Sequence, residues 1–72
     1  MAMPTMTTVD SSNILAIGYD EMNRELHVQF LNGCTYVYSD VPPETYGEML
    51  QADSKGSFLN REVKPNYAYR QA

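Results

Sequence analysis

The chain predicts a small α+β domain, and three observations carry that expectation. Leu26, Val28 and Phe30 alternate with His27 and Gln29, the period of a half-buried strand. Asn32-Gly33 supplies a reversal directly ahead of Tyr36-Val37-Tyr38, and Tyr46, Met49 and Leu50 recur at helical spacing behind Pro42-Pro43. The predicted architecture is a three-stranded antiparallel meander packed against one main helix. A short second helix or turn and an extended Tyr-rich tail complete it.

The elements follow in order. Residues 1–10 read as a flexible N-terminal arm, without a basic cluster or an apolar core that would mark a secretory signal. Residues 11–70 form the single domain, and 71–72 are tail. Ile14 to Tyr19 and Leu26 to Leu31 read as strands joined through the polar segment Asp20 to Glu25. A third strand runs from Cys34 to about Ser39.

Two registers are open at Asn32-Gly33. A two-residue loop sends Tyr36 and Tyr38 to the face of His27 and Gln29. A three-residue loop, with Gly33 in the bulge position, sets Phe30 opposite Cys34, Val28 opposite Tyr36 and Leu26 opposite Tyr38. The second register is preferred because it segregates polarity, leaving His27, Gln29, Thr35 and Ser39 on the wetter side.

Pro43 suits a helical first turn and Glu44 the positive end of the helix dipole. Gly47 weakens that helix by about 1 kcal/mol relative to alanine, so packing must support it. Ser54-Lys55-Gly56-Ser57 breaks or bends the run, and Phe58-Leu59 resumes apolar contact. Val63 and Pro65 lead into Tyr67-Ala68-Tyr69, an edge strand or a docked extended tail.

Seventy-two residues allow one domain of thin stability margin, and the lone Cys34 offers no intrachain disulfide. One cysteine and one histidine cannot close a structural zinc site, so no cofactor or metal is expected. A monomer is preferred, with a homodimer as the alternative route to buried area. No apolar stretch approaches the roughly 20 residues that cross a bilayer, so no membrane association is expected, and a free thiol favours a cytoplasmic location.

Charge is unevenly distributed. Met1 to Asp53 carries one base against eight acids, a net of −7, whereas Ser54 to Ala72 carries four bases against Glu62, a net of +3. The overall −4 disfavours bulk attraction to nucleic acid, and DNA is not an expected partner. A local contact through the basic end stays open.

Six tyrosines are the distinctive resource of the chain. Tyr36 and Tyr38 serve either as packing residues or as a stacking platform. Tyr67 and Tyr69 with Arg70 and Lys64 form a second candidate patch, in which bases position phosphates while rings stack. Ser54 and Lys55 read as a cap and turn, or as contacts to one phosphate or carboxylate. The segment lacks the glycine spacing of a P-loop. His27 and Cys34 fall on opposite faces in the preferred register, which disfavours a nucleophile–base pair, and no catalytic residue is assigned.

The run Ile14 to Asp20, Phe30-Leu31-Asn32-Gly33, Tyr36-Val37-Tyr38, Val41-Pro42, Ser54-Lys55-Gly56 and Tyr67-Ala68-Tyr69 together resemble the KTSC domain. That family occurs at the carboxyl end of some lysyl-tRNA synthetases and as a lone bacterial domain. The resemblance covers about Ser11 to Arg70, with the central Tyr-x-Tyr at Tyr36 and Tyr38 and the Ser-x-Gly at Ser54 and Gly56. It implies the α+β fold and no established activity, and the synthetase association implies RNA as a partner class. The expectation is a non-catalytic binding module for RNA using the tyrosine-rich basic end. A protein-interaction or self-association domain is the alternative.

Overall fold

The computed structural model describes residues 4–72. It is an α+β domain with one five-stranded antiparallel sheet in the order β1-β2-β3-β4-β5. The strands are β1 (Thr7–Thr8), β2 (Ile14–Asp20), β3 (Glu25–Phe30), β4 (Thr35–Tyr38) and β5 (Tyr69–Gln71). Two helices, α1 (Pro43–Gln51) and α2 (Lys55–Phe58), lie between β4 and β5, and α2 runs on into a π-helical turn over Leu59–Val63.

The central three strands form the expected meander, and the sheet gains one strand on each side of it. Thr7 pairs with Ile17 and Thr8 with Ala16, so the second half of the expected arm is an edge strand. Met1, Ala2 and Met3, the start of that arm, lie outside the described residues. At the far side, Tyr69 pairs with Tyr38 and Gln71 with Tyr36, placing the tail strand two residues later than Tyr67-Ala68-Tyr69.

The β3–β4 register follows from its turn. Phe30 N–H donates to the Cys34 carbonyl at 2.8 Å and Gly33 N–H to the Phe30 carbonyl at 3.0 Å, closing a three-residue loop. Gly33 sits at φ +94°, a conformation glycine adopts without a Cβ penalty. Asn32 Oδ1 accepts from Cys34 N–H at 3.0 Å and fixes the reversal. Leu26 therefore faces Tyr38 and Val28 faces Tyr36.

The front face of the sheet carries the core. Ile17, Leu26, Val28 and Tyr38 meet Met49, Phe58, Leu59 and Val63 from the helical layer, with Ile14 and Val41 closing the ends. Tyr46 of α1 stacks on Tyr19 of β2 at 5.2 Å between ring centroids, and the Tyr19 hydroxyl donates to the Val41 carbonyl. Leu50 completes the helical repeat in sequence yet stays partly exposed, so α1 seats through Tyr46 and Met49.

Gly56 lets α2 approach the β1–β2 loop. An added Cβ would stand 2.9 Å from Asn13 Oδ1, which is itself held by the Ser11 hydroxyl. The Ser54-x-Gly56 element thus has a packing role at this junction.

The back face departs from expectation. His27 is buried, at 8% exposure, and Val37 beside it is fully enclosed. The cross-strand row is Gly18, His27, Val37 and Arg70. The N-terminal arm comes down on this row: a Cβ on Gly18 would meet Met6 Sδ at 2.6 Å and the Thr5 carbonyl at 2.8 Å. Reading His27 as a strand-surface histidine fails because this cover removes the solvent that the period-two argument assumes.

Candidate functional site

The tyrosines expected to act together are sorted by the sheet. Tyr36 and Tyr38 point to the front face on β4, and pairing of β4 with β5 brings Tyr69 alongside them. Ring centroids lie 5.1 Å apart for Tyr36–Tyr69 and 5.6 Å for Tyr38–Tyr69, and Phe30 meets Tyr36 edge-on at 5.4 Å. Such pairs contribute about 0.5–1.5 kcal/mol each beyond simple burial. A ladder of rings therefore runs Phe30, Tyr36, Tyr69 across three strands towards the free edge of β5.

Access differs sharply along that ladder. Tyr38 is 1% exposed and belongs to the core, and burial pushes its phenol above the ordinary range. Tyr36 is half-buried, offering a rim. Tyr69 is 60% exposed and presents its outer surface to solvent. Tyr67 is half-buried against the core, its hydroxyl 3.4 Å from Thr45 Oγ1.

The basic residues follow a different distribution. Arg70 neighbours Tyr69 in sequence, but strand alternation turns it to the back face. There its guanidinium donates to both Glu25 oxygens, at 2.9 and 3.4 Å. Lys55 Nζ donates to the Ala52 carbonyl at 2.7 Å, capping α1. Ser54 Oγ accepts from Ser57 N–H at 3.2 Å as the N-cap of α2. Lys64, exposed after the π-helical turn, has no ion-pair partner among the described residues.

Two participants escaped the sequence reading. Phe30 extends the aromatic ladder, and Glu25 neutralises the one guanidinium near it. Neither has a local signature, because the contacts join residues 45 positions apart in the case of Glu25 and Arg70. Cys34 sits half-buried at the same edge, 3.6 Å from Gln71 Nε2. Among the described residues no group of three or more His, Cys, Asp or Glu side chains is placed to hold a metal ion. No described helix is long and apolar enough to cross a membrane.

The geometry defines a class: a small antiparallel α+β domain that shows aromatic rings at an open sheet edge. The chain belongs to the KTSC domain family, whose model matches residues 10–67. It is 45% identical over 62 residues to a protein of Tsukamurella paurometabola, covering 86% of this chain and 92% of that one. An uncharacterized protein of Stutzerimonas stutzeri is 39% identical over 59 residues, with 82% and 83% covered. A lysine–tRNA ligase of Nostoc punctiforme is 29% identical over 62 residues, which span 86% of this chain and 11% of the ligase. The crystal structure of a KTSC domain protein from Yersinia pestis superposes with a TM-score of 0.88 at 39% identity, covering 94% of this chain and 96% of that one.

Proposed function

We propose that this domain is a non-catalytic protein-interaction module that captures an extended segment of another chain along the β5 edge. The observation that carries the reading is the Tyr36–Tyr69 pair beside an edge strand whose three residues are all exposed. Unpaired N–H and C=O groups on such an edge template a further strand, and an adjacent aromatic surface receives its side chains. Tyrosine supplies much contact area at low entropic cost, which is why interfaces enrich it.

Electrostatics favours a protein over RNA at this surface. RNA affinity comes chiefly from phosphate neutralisation, yet Arg70 is tied to Glu25 on the other face and the whole chain carries −4. Edge-to-edge pairing of two copies centred on Arg70 would set one guanidinium opposite the other, which supports a foreign segment over self-association. RNA stands as the second reading, supported by the ligase relative. The lone thiol of Cys34 fits a reducing, cytoplasmic setting.

A photo-crosslinking amino acid placed at Tyr69 tests both readings, with the same group at the solvent-exposed hairpin residue Met22 as control. Protein adducts at position 69 that disappear when Gln71→Pro removes an outward-facing N–H of β5 are the expected result, since Arg70 N–H is turned to β4. Adducts to RNA alone would replace the first reading with the second, and equal adducts at positions 69 and 22 would overturn both.

A further inference from the structure

His27 is the one histidine of the chain, and its situation is unusual. Both ring nitrogens are buried without a hydrogen-bond partner among the described residues. Its nearest carboxylate, Glu25, stands 3.9 Å away, beyond hydrogen-bond reach, and is already engaged by Arg70. A neutral imidazole tolerates this enclosure. An imidazolium has two N–H donors to satisfy, for which it would find no acceptor within hydrogen-bond reach here, and a charge whose nearest counter-charge is the already engaged Glu25.

The arm that covers Gly18, the cross-strand neighbour of His27, is lightly held. The arm reaches the sheet through a two-residue strand whose threonines are both exposed, and through Pro4, Thr5 and Met6 lying over Gly18. The front face is tied down by the whole helical layer. Local opening of the arm therefore costs far less than opening the core.

From this juxtaposition we infer that the N-terminal arm is a proton-released cover: docked over Gly18 and His27 while the imidazole is neutral, and lifted when the ring takes a proton. Lifting gives both N–H donors to water and adds His27 to the already accessible Glu25–Arg70 pair as one polar strip. The charged groups facing the ring act as follows. Burial pushes its basicity below the ordinary histidine value, Glu25 on β3 and Asp20 on β2 pull it back up, and Arg70 on β5 pushes it down. Val37 on β4 and Pro4, Thr5 and Met6 of the arm are uncharged. The docked state thus gains stability above the ordinary histidine range and loses it as pH falls. Opening coupled to one proton grows by up to about tenfold per pH unit.

The methionines make the test direct. Met6 lies in the arm, Met49 in the fully buried core, and Met22 is 94% exposed at the β2–β3 turn. In NMR spectra of the full chain with isotope-labelled methionine methyls, lowering the pH from about 7.5 to about 5 spans the histidine transition. The Met6 signal is expected to move to the solvent-exposed position marked by Met22, with a midpoint equal to that of the His27 ring, while Met49 stays in place. Gly18→Ala, whose added methyl occupies the arm's seat, should give the lifted Met6 signal at neutral pH and raise the His27 midpoint. His27→Phe should hold Met6 docked throughout. A Met6 signal that never moves, one that moves together with Met49, or a His27 midpoint unchanged in Gly18→Ala would each overturn the inference.

Discussion

The two faces of the sheet are built to different standards. The front face is closed by ten fully or nearly fully buried residues drawn from strands, helices, the π-helical turn and the β4–α1 connection. On the back face a buried histidine, its ring without a hydrogen bond among the described residues, sits next to Val37 beside a short arm. A domain this small has enough apolar residues for one good core. The comparison teaches that its second face is closed by backbone proximity and long polar side chains, and is correspondingly easier to open.

The largest expected effect contrasts the two faces directly. Met49→Ala should cost about 2–5 kcal/mol, because α1, which carries it, cannot settle fully into the space left. Val37→Ala removes two methyl groups, worth roughly 0.8 kcal/mol each, from beneath a cover that can settle, so it should cost about 1–2 kcal/mol. Urea denaturation of both variants measures the difference, and equal losses would break the distinction between the faces.

Next come opposite responses to pH. Tyr38 on the front face has its phenol pushed up by burial, with Tyr69 and Tyr36 adding to the shift. Its contribution to stability is complete below the ordinary tyrosine value and is lost as pH rises through the alkaline range. On the back face the sign reverses: His27 contributes above the ordinary histidine value and its contribution is lost as the medium turns acid. Denaturation midpoints across pH should fall at both ends, with Tyr38→Phe flattening the alkaline limb and His27→Phe the acid one.

The smallest effect belongs to the back-face ion pair. Arg70 is more than half exposed, so Arg70→Ala should shift the urea midpoint only slightly, and less at high salt. A larger, salt-insensitive loss would mean that the pair anchors β5 and that the back face is as firmly closed as the front.

How much of this was legible follows from where each residue is buried. The β3–β4 register could be read because Leu26, Val28 and Phe30 alternate and Asn32-Gly33 restricts the turn. Strand β1 could not, and β5 only as an edge strand or docked tail begun two residues early, since Thr7–Thr8 and Tyr69–Gln71 are exposed throughout and leave no burial pattern. They are strands because a formed edge offers them backbone partners. The patch joining Tyr69 to Arg70 looked continuous in the chain, but alternation sends the two side chains to opposite faces. The burial of His27 had one faint signal in Gly18, a glycine inside a strand, which marks the close approach of another backbone.

The unequal margins of the sheet also govern how many strands it can recruit. Head-to-tail addition of copies would require β5 of one molecule to dock on β1 of the next, and a margin of two residues offers too few ladder bonds to hold it. Under the proposed edge-capture reading, growth from β5 would end after a single guest, because the shortness of β1 leaves the next copy no margin to dock on.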